Sequence, residues 1–390
     1  MSFASDITAL MGIAGLSLAV WIYLSLFRGG FWRADQRIGD GAIEAPAQWP
    51  EIVAIIPARN EADVIGATVS SLLKQDYPKP FPIVLVDDRS DDGTAEAARA
   101  AMTDQAERLH IVTGSSLPDG WAGKVWAMSQ GVSRASEIAP GADFYLFCDA
   151  DIVHDGSNLR RLAAQAAQGN SDLTSIMVKL DARGFWERFL IPPFVFFFQM
   201  LYPFAHVNRG RCFAAAGGCM LVRRQALEAA GGLAGIHDAL IDDCALAALL
   251  GRIGSTLWLG LSSQTRSARP YGGLSGVWNM VARTAYTQLN YSPFSLVGTV
   301  FGMILVYLVP PLLLIGYGLH HDPATALLGG AAYGLMIGVY SPTLRFYEGP
   351  RTAALFLPIA ALLYTVMTVD SAWRHWRGVG GGWKGRVYSR

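Results

Sequence analysis

Four stretches of the chain contain no Asp, Glu, Lys or Arg: Ile7 to Phe27, Phe294 to Leu319, Pro323 to Pro342 and Thr352 to Val369. They run for 21, 26, 20 and 18 residues, long enough as helices to cross a hydrocarbon core of about 30 Å. The first differs from a secretory signal: no basic region precedes it, its apolar run is too long, and Arg28, Arg33 and Arg37 follow it. It reads as an anchor, residues 1–28, that leaves the following domain in the cytoplasm. Residues 294–369 then hold two or three further spans. Three would put the tail, residues 370–390, outside, although it carries Arg374, Arg377, Lys384, Arg386 and Arg390. Pro323 to Pro342, with four glycines, is the weakest span, and Pro310-Pro311 is the other place where a helix would break. A fifth apolar stretch, Phe189 to Ala205, holds Pro192, Pro193 and Pro203 among many aromatic rings. It reads as a broken interfacial helix, residues 185–205, or alternatively as a buried core element.

Between these segments, over residues 48–291, the pattern changes to short apolar runs separated by helical stretches. Ile52 to Ile56, Ile83 to Val86, Leu109 to Val112 and Phe144 to Cys148 are bounded by turn residues, as buried parallel strands are. Glu61 to Gln75, Thr94 to Met102 and Lys124 to Ser136 supply helices between them. This alternation predicts a doubly wound α/β layer with its ligand at the carboxyl ends of the strands.

Composition agrees with this division. Lys plus Arg and Asp plus Glu each number 31, and 16% of residues are charged, against about 25% in soluble domains. A neutral chain lacks the cationic excess that nucleic acid requires, so nucleic-acid partners are excluded. Cys148, Cys212, Cys219 and Cys244 have no C-x-x-C spacing, and reduced thiols of a cytosolic domain are expected.

The polar residues gather at the expected strand ends. Pro57-Ala58-Arg59-Asn60-Glu61 follows the first strand, Asp87-Asp88-Arg89-Ser90-Asp91-Asp92-Gly93-Thr94 the second, and Asp149-Ala150-Asp151 the fourth. No glycine-rich dinucleotide or P-loop fingerprint occurs there. Acidic residues at i and i+2 on a turn leaving a strand can turn one carboxylate to a hard divalent ion and the other to a ribose or a metal-bound water. Mg²⁺ and Mn²⁺ take such oxygen ligands together with substrate phosphates. His154 reads as a hydrogen-bonding loop residue, and His320-His321 as an interfacial turn.

This order of motifs, continued by Gly123-Lys124 and by Ile241-Asp242-Asp243, resembles the inverting GT-A glycosyltransferases of family 2. The anchor, the C-terminal apolar segments and Trp383-Lys384-Gly385-Arg386-Val387-Tyr388 resemble the membrane branch that glycosylates lipids. Phe27 to Asp35, Phe185 to Pro203 and Ala282 to Pro293 are similar to the bacterial hopene-associated members. The resemblance implies a GT-A fold, Rossmann-like with a mainly parallel sheet and flanking helices, plus transmembrane helices. It implies a multi-pass protein of the bacterial inner membrane whose catalytic domain faces the cytoplasm. The reaction implied is transfer of a hexosyl or N-acetylhexosaminyl group from a nucleotide-sugar, a UDP-sugar, to a hydroxyl of a membrane lipid such as a hopanoid, with Mg²⁺ or Mn²⁺. Transfer to polyprenyl phosphate, or a non-catalytic membrane scaffold, are the alternatives.

Carried over residue by residue, Asp87 and Asp88 would hold the uridine, and Pro57, Arg59 and Glu61 would shape the base pocket. Lys124 would approach the phosphates, Asp151 would ligate the metal, and Asp149 would bind the ribose, the sugar or the metal. Gly217 and Gly218 would admit the acceptor, Asp243 would be the catalytic base, and Asp242 stands where a Glu is usual. The family's Q-x-x-R-W element is missing. Arg283, in Met280-Val281-Ala282-Arg283-Thr284, is the nearest candidate to steady the leaving diphosphate. The aromatic stretch Phe189 to Ala205 is expected at the acceptor mouth.

Overall fold

The computed structural model describes residues 2–39, 44–102, 106–379, 382–383 and 386–387. Lys384, Gly385 and Tyr388 to Arg390, part of the tail considered above, lie outside the described residues. The chain divides into two compact units. One comprises Gln36–Asp181, His206–Pro270 and Gly381–Arg390; the other comprises Met1–Asp35, Ala182–Ala205 and Tyr271–Gly380.

The first unit is built on an eight-stranded mixed sheet. Its strands are β1 (Ile52–Ala58), β2 (Ile83–Asp87), β3 (Leu109–Thr113), β4 (Phe144–Cys148), β5 (Ile152–Val153), β6 (Leu173–Lys179), β7 (Cys219–Arg223) and β8 (Leu257–Ser267). They lie in the order β3-β2-β1-β4-β7-β6-β8-β5. The first four are mutually parallel, as are β6 and β8, whereas β7 runs antiparallel to both of its neighbours. Helices Ala62–Leu73, Thr94–Ala100 and Gly123–Ile138 make the crossovers between β1, β2, β3 and β4, as parallel neighbours require. All seven residues of β1 are buried, which matches its uninterrupted apolar run and its central place in the sheet. Pro57 does not interrupt the ladder with β4, because the register of that pair ends at Ile55 and Phe147. The β1, β2 and β4 carboxyl ends therefore meet where the strand order reverses, the usual ligand crevice of such sheets. This is a GT-A-like fold.

The second unit is helical. Five helical segments among the described residues are long and apolar enough to cross a membrane: Asp6–Leu26, Phe185–Val207, Pro293–Ile315, Pro323–Phe346 and Arg351–Trp376. Pro323–Phe346 is a continuous helix despite its glycines. Pro310-Pro311 does not break its segment either. A π-helical turn, Ile304–Leu308, precedes helix Val309–Ile315. The Val306 carbonyl, which Pro310 cannot serve, accepts the Trp21 indole N–H at 2.8 Å; neighbouring helices commonly re-satisfy such groups.

The aromatic stretch differs from the broken helix expected from its prolines. Helix Phe185–Leu201 runs through Pro192 and Pro193 and ends at Tyr202, the residue before Pro203, where the α conformation is disfavoured. Phe196 is wholly buried, with its ring 5.2 Å from that of Tyr340 and 5.3 Å from that of Phe31. Phe197 contacts Tyr307 and Tyr364 edge-on. These contacts make Phe196 interior packing of the helical unit, with Phe197 partly buried beside it, which replaces the expectation of an acceptor mouth at Phe196.

Candidate active site

The loops after β1 and β2 are fastened to each other by the small polar residues of the second motif. Asn60 N–H donates to Ser90 Oγ at 2.9 Å, Glu61 N–H to Thr94 Oγ1 at 2.8 Å, and Ala62 N–H to Asp92 Oδ2 at 2.9 Å. Asp92 thereby receives an amide from the first turn of helix Ala62–Leu73, where acceptors are favoured. Ser90 N–H returns to Asp87 Oδ1 at 3.0 Å. Asp88 is fully buried, with the Arg59 guanidinium 3.8 Å from its carboxylate. Gly114 closes over them: a Cβ there would stand 3.1 Å from both the Asp87 carbonyl oxygen and Asp88 Cα.

A second group centres on Lys124, in the first turn of helix Gly123–Ile138. Its Nζ lies 2.7 Å from Asp149 Oδ1 and 3.1 Å from Asp242 Oδ2. Burial opposes the charge, but Asp149 and Asp242 together hold the ammonium above its ordinary pKa. Asp243, beside Asp242 at the start of helix Asp242–Arg252, has both oxygens engaged by backbone amides. Gly217 N–H donates to Oδ2 and Cys244 N–H to Oδ1, each at 2.7 Å. Burial and the Asp242 charge push its carboxyl up to about 6, against the opposing effects of Lys124 and the two amides.

Asp151 is positioned by the short β5–β8 pairing, in which Ile152 is in register with Ser267. Ala268 N–H donates to the Asp151 carbonyl at 2.7 Å, and Ser267 Oγ donates to its Oδ2 at 3.2 Å. Burial and Asp149 push its carboxyl up to about 6. Arg269, two residues past Ser267, brings Nε to 3.4 Å from Asp151 Oδ2 and pairs with the Glu61 carboxylate.

The sheet unit thus contains Pro57, Arg59, Glu61, Asp87, Asp88, Lys124, Asp149, Asp151, Gly217, Gly218, Asp242 and Asp243. Lys124 joins Asp149 to Asp242, and Gly217 joins Asp243. Gly218 packs inward, where a Cβ would stand 3.2 Å from Val178. Arg283 is exposed on helix Leu274–Gln288 of the helical unit. Arg269 carried no motif that a reading of the sequence could use; its only sequence signal is its place just past a strand. His154 is buried, its Nε2 3.0 Å from Cys148 Sγ and its Nδ1 2.9 Å from Asn158 Nδ2. Burial pushes its pKa down to about 4, so the ring is neutral at pH 7. The four cysteines are free thiols.

No group of three His, Cys, Asp or Glu side chains that could hold a metal occurs among the described residues. Asp149 and Asp151 nevertheless suit Mg²⁺ or Mn²⁺, which commonly take one or two carboxylates and complete their shell with substrate phosphates and water.

Residues 53–231 match the family model described as glycosyl transferase family 2, so the chain carries a family 2 glycosyltransferase domain. None of the curated proteins matches the chain. Among solved structures, the mannosyltransferase PcManGT from Pyrobaculum calidifontis, in complex with GDP-Man and Mn²⁺, is similar at 19% identity. That match covers 94% of this chain and 99% of that one, with a TM-score of 0.55. Glucosyl-3-phosphoglycerate synthase from Mycobacterium tuberculosis, in complex with Mn²⁺, uridine-diphosphate-glucose and phosphoglyceric acid, matches at 17% identity. It covers 62% of this chain and 79% of that one, with a TM-score of 0.40. At 19% identity the likeness to the mannosyltransferase is one of fold.

Proposed function

We propose that this protein transfers a sugar, with inversion, from a nucleoside-diphosphate sugar to a hydroxyl of a membrane lipid. The observation that carries the proposal is the position of Lys124. One ammonium ties Asp149, of the paired strand-end acids, to Asp242, the neighbour of Asp243. A donor-side carboxylate and the segment bearing a raised-pKa carboxylate are thereby held in one charge network.

In this reading the loops after β1 and β2 hold the nucleoside, through Pro57, Arg59, Glu61, Asp87 and Asp88. Asp151, with Asp149, would hold Mg²⁺ or Mn²⁺, which would supply positive charge beside the diphosphate. Asp243 is ionised at pH 7 yet keeps a proton affinity close to the working pH, as an efficient general base needs. It takes the proton from the acceptor hydroxyl as that oxygen bonds to the anomeric carbon. The bond from that carbon to the diphosphate oxygen breaks, and its electron pair leaves with the diphosphate. Lys124 remains cationic through this step, and Gly217 and Gly218 would border the acceptor.

Support for a lipid acceptor comes from the five apolar helices. Arg28, Arg33 and Arg37 after the first helix favour a multi-pass protein with its catalytic unit in the cytoplasm. A UDP-sugar donor and a hopanoid or related bacterial lipid acceptor complete the reading, on the sequence resemblance. The test is incubation of the detergent-purified protein with Mn²⁺, a panel of UDP- and GDP-sugars and a bacterial lipid extract, followed by mass spectrometry. A hexose or aminohexose increment on one neutral-hydroxyl lipid class is expected. An increment on polyprenyl phosphate alone, or nucleotide release without any lipid product, would reject it.

A further inference from the structure

We propose that Arg269 is a resident cation of the metal site, seated on Asp151 and displaced when the divalent ion arrives. This inference rests on the reading of Asp151 as a metal ligand. Arg269 lies just beyond the last residue of β8, and the β5–β8 register delivers it to the acidic turn after β4. Its Nε approaches the same Oδ2 oxygen that accepts the Ser267 hydroxyl, while its Nη2 pairs with Glu61 after β1. Its own N–H donates to Ser267 Oγ at 3.3 Å, so backbone and side chain are both directed to this turn. One guanidinium thus spans carboxylates from two different strand-end loops.

A divalent ion on the Asp151 carboxylate would meet the guanidinium charge a few ångströms away, and the repulsion between the two cations makes them compete for it. The Arg269 side chain keeps 37% of its surface exposed, which leaves it room to move aside. Arginine stays charged at every working pH, so proton loss cannot clear the site. Metal must compete for it. The consequence is ordered assembly: weak metal binding to the free enzyme, and firm binding only when a diphosphate adds its own oxygens and charge.

The experiment measures Mn²⁺ binding to the full-length protein in detergent, from the electron paramagnetic resonance signal of free Mn²⁺, with and without UDP. Wild type, Arg269→Gln, Arg269→Lys and Asp151→Asn are compared. Arg269→Gln should bind Mn²⁺ alone about fivefold more tightly than wild type, the scale of a partly exposed ion pair. Arg269→Lys should restore most of the competition, and UDP should narrow the gap between wild type and Arg269→Gln. A gain in affinity is not what a merely damaged site would give. Equal or weaker Mn²⁺ binding by Arg269→Gln overturns the inference. If Asp151→Asn has meanwhile lost Mn²⁺–UDP binding, the assignment of Asp151 survives that failure. If Asp151→Asn binds Mn²⁺–UDP like wild type, the assignment itself fails and the inference falls with it.

Discussion

The Gly217 amide donates to Asp243 Oδ2 at 2.7 Å, and a Cβ on Gly217 would stand 3.1 Å from that same oxygen. The glycine is required by the carboxylate it holds. Gly217→Ala should therefore displace Asp243 by a few tenths of an ångström or more, at a position where small errors are costly. A fall in kcat on the order of tenfold to a hundredfold is expected, with nucleotide affinity little changed. Steady-state kinetics and UDP titration check it.

Asp243 also sets a pH dependence. With its carboxyl near 6, log kcat at saturating donor and Mn²⁺ should fall with unit slope below about pH 6, as the base takes up its proton; log(kcat/KM) should fall more steeply, because Asp151 takes up a proton over the same range in the free enzyme. Asp243→Asn should lower kcat by about 10²- to 10⁴-fold while leaving UDP binding intact. For stability, the raised folded pKa means that the protonated group favours the fold. That contribution is fully present below about 4 and is lost as pH rises through about 6. Asp243→Asn does not titrate, so the loss of stability from pH 5 to pH 7.5 should be smaller in the variant than in wild type, whatever the asparagine costs by turning an NH2 to one of the two amides; thermal denaturation at the two pH values checks it.

Lys124→Met would remove the cation shared by Asp149 and Asp242. Leaving the buried Asp242 carboxylate and the half-buried Asp149 carboxylate facing each other should cost roughly 2 to 3 kcal/mol, less than a fully buried pair because Asp149 is a third exposed. Adding Asp242→Asn should recover part of that loss. Thermal unfolding of the single and double variants gives the coupling.

Asp92 ties two loops together without belonging to the proposed chemistry. Asp92→Ala frees the Ala62 amide at the start of helix Ala62–Leu73 and should cost about 1 kcal/mol. Donor KM should rise more than kcat falls, because the nucleoside-holding loops loosen while Asp243 stays in place. Initial rates over a donor series decide this.

Much of the sheet unit was legible before any coordinates, because a parallel strand buried on both faces must be an unbroken apolar run. β1, β2 and β4 carry that mark, and their polar residues fall at the carboxyl ends where such sheets bind ligands. The long uncharged segments were equally readable, since apolar length alone permits a helix to lie in lipid. Pro192-Pro193 and Pro310-Pro311 were not. Whether a proline breaks a helix depends on who takes the carbonyl it abandons, and the Trp21 indole, 285 residues from Val306, is invisible to a local pattern.

The motif residues divide the same way. Asp87, Ser90, Asp92 and Thr94 declare a strand-end loop by type and spacing, yet their work of fastening that loop to residues 60–62 appears only when β1 and β2 lie side by side. By itself the sequence determined which residues are acidic, which segments are apolar, and where strands end, because those follow from residue type and short-range periodicity. The tertiary structure decided which charges meet. Lys124 holds Asp149 and reaches Asp242 across 118 residues, and Arg269 reaches Asp151 and Glu61, because Coulombic pairing depends on distance in space and chain separation carries no trace of it.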